Sequence, residues 1–324
     1  MTPEVSGLPE ALASSIAQAL ETRLGGGAAV VSVGPLSGGC VNDAKLVRTR
    51  SGDEFFLKHN PSAPPSLFEA EADGLEALRA RNVVRIPEVV AHGVSDGGAR
   101  GASRRDAHSP GSHVWLLLEY VPAGAATPSY WEELGHSAAA LHEPITGEPG
   151  YERDNFIGPL TQENEPLADW SEFWVSRRLR PQLDLASRAG LLDNDDQVWR
   201  EVLDAIREAL GSSPQSGEPS LLHGDLWSGN VYPDTAGRPV LIDPAVYRGD
   251  PEVDLAMAEL FGGFDPAFQR AYRSVRPVPS EYDRVRRRVY QLYPLLVHAN
   301  LFGAGYAASA RANAAAIVSQ VRTS

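Results

Sequence analysis

The residues best suited to chemistry lie in one short stretch, LLHGDLWSGNVY at 221–232. An apolar run leads into His223-Gly224-Asp225, and Asn230 follows in the spacing H-G-D-x-x-x-x-N. Thirteen residues after Asn230, a second apolar run, Leu241-Ile242, ends in Asp243. Each polar residue alone reads as a turn cap. In this order, with a hairpin between them, they form what phosphoryl transfer requires. Asp225 would accept the proton of an attacking hydroxyl, and Asn230 and Asp243 would hold Mg²⁺ against nucleotide phosphates. Protein kinases carry H-R-D-x-x-x-x-N followed by D-F-G; this chain has H-G-D and Asp243-Pro244-Ala245.

A nucleotide needs further partners, and the first third of the chain offers them. Lys58 ends the strand-like run Glu54-Phe55-Phe56-Leu57, where a lysine can meet phosphates. In the helical pattern that follows, Phe68, Glu71, Ala72, Leu75 and Leu78 share one face at 100° per residue. An acid in an apolar stripe costs free energy unless it is paired. Lys58 is the natural partner of Glu71. Between two strands, Ser37-Gly38-Gly39-Cys40 places small residues where backbone N–H groups could approach phosphate, although an ordinary hairpin has the same composition. Its position, one strand pair before Lys58, makes it a candidate phosphate-covering loop for ATP. The run Leu116–Val121, LLLEYV, reads as a buried strand entering a linker, with the Glu119 carbonyl and the Val121 backbone placed for adenine.

The elements that must position these residues fall into two parts. Residues 9–24 form an amphipathic helix, with Leu12, Ile16 and Leu20 recurring every fourth residue and glycines at its end. Strands are expected at 30–36, 44–49 and 54–59, a helix at 66–80, and strands near VVAHGV and VWLLLEYV, separated by a polar hairpin loop at 95–112. From about residue 126 the pattern is mainly helical, broken by short apolar runs at 221–222, 231–232 and 240–242. The expected architecture is α+β and bilobal. Residues 1–120 make an N-lobe with a small antiparallel sheet and one main helix, and residues 121–324 make a larger, mainly helical C-lobe, with a hinge near 119–124.

Composition narrows the partners. The 324 residues are 43% hydrophobic and 22% charged, which suits a globular fold. A formal charge of −13 argues against binding through a nucleic-acid backbone. The N-terminus lacks the basic and apolar regions of a secretory signal, and the apolar run at 292–308 is interrupted by Pro294, His298 and Asn300, so it reads as buried helix. A single cysteine allows no intrachain disulfide and fits a reducing cytoplasm. Cys40 beside two glycines reads either as a small residue tolerated in a turn or as an exposed thiol, able to link two chains and tie redox state to activity. His59, His92, His113 and His136 show no metal-ligand spacing, and His142 reads as a helix end.

Asp243 and Asp254 are only eleven residues apart. No activation segment or platform for a polypeptide fits in that interval, so the spacing points to a constitutively formed site acting on a small hydroxyl-bearing group. The chain resembles the fructosamine (ketosamine) kinase family, itself similar to aminoglycoside and choline phosphotransferases. The resemblance rests on FEAEADGLEAL at 68–78, DNFIGPLTQEN at 154–164, FWVSRRLRPQL at 173–183, LLHGDLWSGNVY at 221–232, LIDPAVYRGDPEVDLAMAELFGGF at 241–264 and YQLYPLLVHANLFGAGY at 290–306.

That resemblance implies a protein-kinase-like fold and ATP-dependent, Mg²⁺-dependent phosphorylation of the 3-hydroxyl of a ketoamine sugar. The product would decompose to release the amine, a deglycation. The acceptor would be a small ketoamine or a glycated lysine on a protein. Asp225 is implied as general base, Asn230 and Asp243 as metal ligands, and Lys58 with Glu71 as the nucleotide-orienting pair. Trp227 is read as stacking on the acceptor, against the alternative of a core aromatic beneath the loop, and Asp254 as a buried acid holding the H-G-D backbone. The alternatives are an aminoglycoside- or choline-type phosphotransferase, against which Trp227 and N-F-I-G speak, and a nucleotide-binding pseudokinase, against which the presence of Lys58, Asp225, Asn230 and Asp243 speaks.

Overall fold

The computed structural model describes residues 7–25, 28–36, 43–95, 112–193, 197–211 and 218–323. These divide into two compact units, one of residues 1–80 with 86–123 and the other of 81–85 with 124–324.

In the first unit an antiparallel sheet is built from β1 (Val30–Pro35), β2 (Asp43–Thr49), β3 (Glu54–Asn60), β4 (Val89–Ser95) and β5 (His113–Glu119) in the order β1-β2-β3-β5-β4. The alternation of β3 sends Phe55 and Leu57 to one face and Lys58 to the other. On the first face α1 (Glu10–Leu24) inserts Leu12, Ile16 and Leu20, all but fully buried, among Val47, Phe55, Leu57, Trp115 and Leu117. The second helix, α2 (Ser66–Ala80), begins just after Pro64-Pro65 and buries Phe68, Ala72, Leu75 and Leu78 along one stripe. Glu71 lies within that stripe.

The second unit is mainly helical: α3 (Tyr130–Leu141), α4 (Trp170–Phe173), α5 (Arg180–Arg188), α6 (Gln197–Gly211), α7 (Glu252–Leu260), α8 (Pro266–Val275), α9 (Arg287–Phe302) and α10 (Ala304–Arg322). Three short antiparallel pairs interrupt them. These are β6 (Asn155–Ile157) with β7 (Leu160–Gln162), β8 (Ser220–Leu222) with β11 (Tyr247–Gly249), and β9 (Val231–Pro233) with β10 (Pro239–Leu241). The pair β6–β7 and strand β11 are additions to the expected pattern, because strands this short carry too few residues to show a period. Wide π turns at Trp174–Leu179 and Tyr282–Arg286 were equally invisible in the sequence. The apolar run at 292–308, expected as one buried helix, is two: α9 stops at Gly303, whose φ of 90° is not helical, and α10 begins beyond it.

Candidate active site

The geometry begins with β8, whose Ser220, Leu221 and Leu222 are all buried, so the strand has one place to go. It delivers His223, Gly224 and Asp225 to a loop with a defined conformation. Gly224 has φ 80°, and a Cβ there would stand 2.0 Å from the Ala245 carbonyl oxygen, so only glycine fits. The loop backbone is tied down by Asp254 on α7, which is fully buried. Its two oxygens accept from the His223 amide at 2.7 Å and the Gly224 amide at 2.9 Å. The acid therefore holds the H-G-D backbone and does not face a substrate.

His142 does more than end α3. Its Nε2 donates to Asp254 Oδ2 at 3.1 Å and its Nδ1 lies 2.9 Å from the Tyr272 hydroxyl, which donates to it in the matching tautomer. Burial alone would raise the Asp254 carboxyl. The hydrogen bond from His142, the nearby His142 and His223 imidazoles and the His223 amide outweigh it and hold the group below the usual carboxylate range. Burial lowers His223, so the ring is neutral. With its proton on Nε2 it donates to the Ile242 carbonyl at 3.0 Å and accepts the Asp225 amide on Nδ1 at 3.3 Å.

The β9–β10 hairpin turns through Asp234–Arg238, where the Asp234 side chain accepts from the Ala236 and Arg238 amides, both at 2.9 Å. This turn brings the two ends of the hairpin together. The Ile242 amide donates to the Asn230 carbonyl at 3.1 Å, so Asn230 and Asp243 become neighbours. The Asn230 side-chain amide donates to Asp225 Oδ2 at 2.9 Å and to the Asp225 carbonyl at 2.9 Å, with the Asp243 carbonyl at 3.4 Å. Asp243 has φ 55°, a left-handed conformation uncommon outside glycine. The structure thus gathers Asp225, Asn230 and Asp243 in one place. Burial, reinforced by the charges of Asp243 and Asp254 and offset only in part by the Asn230 hydrogen bond, pushes the Asp225 carboxyl up to about 7.

Trp227 is partly exposed, and its ring lies against Gly229, where a Cβ would come within 2.4 Å of the indole. It is therefore not a core aromatic beneath the loop. It opens an aromatic row that sequence reasoning did not pick out. Trp227 meets Phe261 edge-on with ring centroids 6.5 Å apart, Phe261 meets His298 at 4.5 Å, and His298 meets Phe302 at 5.4 Å and Tyr306 at 5.0 Å. Phe302 is 62% exposed, which an aromatic side chain on a packed helix seldom is. The signal was present as His298 and Phe302 four residues apart on one helix face, within a segment already notable for its resemblance.

In the first unit Lys58 Nζ lies 2.6 Å from Glu71 Oε1, and both side chains are largely buried. Glu71, expected from its place in the apolar stripe to pair with Lys58, does so. Glu119 closes β5, with its amide donating to the Glu88 carbonyl at 2.8 Å, and Val121 follows it, buried. Ser37, Gly38, Gly39 and Cys40 lie outside the described residues, as does nearly all of the polar loop at 95–112.

Similarity to known proteins runs along nearly the whole chain. The family model for fructosamine kinase matches residues 12–320. The chain is 39% identical over 272 residues to the probable ketoamine kinase of Synechocystis, covering 84% of this chain and 85% of that one. It is 34% identical over 284 residues to the chloroplastic protein-ribulosamine 3-kinase of Arabidopsis thaliana, covering 87% and 81%. A crystal structure of a candidate fructosamine-3-kinase from Thermobifida fusca superposes with a TM-score of 0.78 at 32% identity, over 94% of this chain and 99% of that one. An aminoglycoside phosphotransferase, at a TM-score of 0.56 and 19% identity, shares the protein-kinase-like fold. With the family model spanning nearly the whole chain and relatives well above 30% identity, this chain belongs to the fructosamine kinase family.

Proposed function

We propose that this protein transfers the γ-phosphoryl group of ATP to the 3-hydroxyl of a ketoamine sugar, on a small amine or on a glycated lysine, and so initiates deglycation. The observation that carries this reading is the convergence of Asp225, Asn230 and Asp243 beside the aromatic row headed by Trp227. Asp225 takes the acceptor's proton, and its raised carboxyl is a better base than an exposed aspartate at neutral pH. The Asn230 amide fixes the Asp225 carboxylate in orientation. The Asn230 side-chain oxygen Oδ1 and the Asp243 carboxylate would then supply oxygen donors, the hard ligand set that suits Mg²⁺.

Among the described residues no cluster of three or more His, Cys, Asp or Glu is set to hold a metal by itself. Mg²⁺ in kinase sites is bound jointly by a few protein oxygens and by phosphate oxygens. When bound, the cation would neutralise charge on the phosphates. Lys58, steadied by Glu71, fits the role of a phosphate ligand, and the backbone at Glu119 and Val121 that of the adenine contact. The indole of Trp227 offers a flat apolar face to the ring of a sugar.

The test is ADP release with Mg²⁺ and ATP on ribulosyl-lysine, fructosyl-lysine, erythrulosyl-lysine, kanamycin and choline, for wild type and Asp225→Asn. Turnover on one or more ketoamines that disappears in the variant is expected. Turnover confined to kanamycin or choline overturns the acceptor class, and silence on every acceptor with ATP still bound overturns the reaction.

A further inference from the structure

The N-F-I-G-P-L-T-Q-E-N stretch and the nearby Arg178 hold a concentration of buried polar side chains. Asn155 is 4% exposed, Gln162 1%, Asn164 and Arg178 0%. Buried amides cost free energy unless their hydrogen bonds are made. Here the bonds run in one direction. Arg178 Nη2 donates to Asn164 Oδ1 at 2.6 Å, Asn164 Nδ2 donates to Asn155 Oδ1 at 2.9 Å, and Gln162 Nε2 donates to the same Asn155 oxygen at 2.9 Å. Gln162 Oε1 accepts from the Tyr293 hydroxyl at 2.9 Å. The chain ends on backbone: Asn155 Nδ2 donates to the Val246 carbonyl at 2.8 Å and Gln162 Nε2 to the Ala245 carbonyl at 3.1 Å.

Ala245 is two residues beyond Asp243 and is itself engaged with the H-G-D loop. Its amide donates to the His223 carbonyl at 2.9 Å, and its carbonyl oxygen occupies the space that the missing side chain of Gly224 leaves free. Arg178 also stands over Tyr247, with its guanidinium carbon 3.9 Å from the ring centroid. The whole group bears on residues 245–247, which follow directly on Asp243 and Pro244.

We propose that Asn155 and Gln162, anchored by Asn164, Arg178 and Tyr293, are positioning residues that set the segment after Asp243 and thereby its carboxylate relative to Asn230 and Asp225. The proposal rests on reading Asp243 as a metal ligand. Ala245 lies two residues beyond Asp243, so bonds that fix the Ala245 and Val246 carbonyls fix one end of the short backbone segment from which the Asp243 carboxylate projects. Outer partners of metal ligands change metal affinity by roughly 10–100-fold when removed.

The experiment measures Mn²⁺ binding in the presence of ADP by electron paramagnetic resonance, and melting temperature, for Gln162→Met, Asn155→Ala, Tyr293→Phe and Asp243→Asn. Gln162→Met and Asn155→Ala are expected to weaken Mn²⁺ about tenfold or more, with the acceptor KM within about twofold of wild type. Tyr293→Phe, which removes one hydroxyl and keeps the packing, is expected to shift Mn²⁺ affinity in the same direction by a smaller factor, and keeps the test alive if the others fail to fold. Folded variants that bind Mn²⁺ as wild type does, with only a lower melting temperature, would overturn the bracket and leave it a purely structural network. An Asp243→Asn protein with undiminished Mn²⁺ binding would instead overturn the metal-ligand reading on which the proposal stands.

Discussion

At the scale of single residues, the proposed base is a partly buried carboxylate with a raised pKa, and that has a consequence for stability. Asp225 ionises near 7 in the folded chain and near 3.9 when unfolded. With the folded value raised, the unfolded state gives up its proton first as pH climbs. The penalty is absent below about 4, grows through the interval up to about 7, and is fully present above it. Asp225→Asn should therefore raise the melting temperature of the metal-free protein at pH 8 and leave it unchanged near pH 4. The same substitution should cost roughly 10²–10⁴ in turnover, the usual share of a general base. A variant that is inactive yet no more stable at pH 8 would mean that Asp225 is hydrated in solution. In wild type the rate should rise with pH along an acid limb and level off once Asp225 is ionised.

At the scale of elements, what was legible in the sequence depended on length and period. Helix α2 was expected at 66–80 and occupies Ser66–Ala80, because four apolar positions at helical spacing and a preceding Pro-Pro leave little choice. Lys58 and Glu71 could be paired in advance by the cost of an acid in an apolar stripe, and Asp254 could be read as a buried brace. Strands β6, β7 and β11 have three residues each, too few for alternation to register. The role of Asn155 and Gln162 was hidden for a different reason. Polar residues beside a glycine look like a surface loop, and only the packed structure shows that their donors point at backbone carbonyls.

A second brace, also silent in the sequence, joins α7 to the π turn before α9. Arg286 holds Glu252 through two bonds of 2.6 Å, with both side chains almost wholly buried. Removing one member of such a pair leaves an uncompensated charge, so Arg286→Met should destabilise the protein by about 3–5 kcal/mol in denaturant unfolding. The double variant Glu252→Gln/Arg286→Met should recover much of that loss. If it does not, the pair is worth more than its charges.

At the scale of the whole molecule, a formal charge of −13 leaves the chain ill-suited to a polyanionic partner, and among the described residues no helix is long and apolar enough to cross a membrane. Nucleotide binding should register in global unfolding, since a ligand bound only to the folded state at a hundred times its Kd adds about 2.7 kcal/mol. A non-hydrolysable ATP analogue with Mg²⁺ should raise the melting temperature of wild type, and Lys58→Met should lose most of that rise. An equal rise in both proteins would take Lys58 out of phosphate binding.

The left-handed backbone of Asp243 also bears on heredity. One base change in an aspartate codon yields asparagine, glycine, histidine, tyrosine, alanine, valine or glutamate. Asparagine, histidine and glycine tolerate a positive φ but bring no carboxylate, while alanine, valine and tyrosine bring neither. Glutamate keeps the charge but adds a methylene where the chain must already bend the uncommon way. No single mutational step away from Asp243 keeps both shape and charge, so under the proposal that Asp243 is a metal ligand every such step costs metal binding.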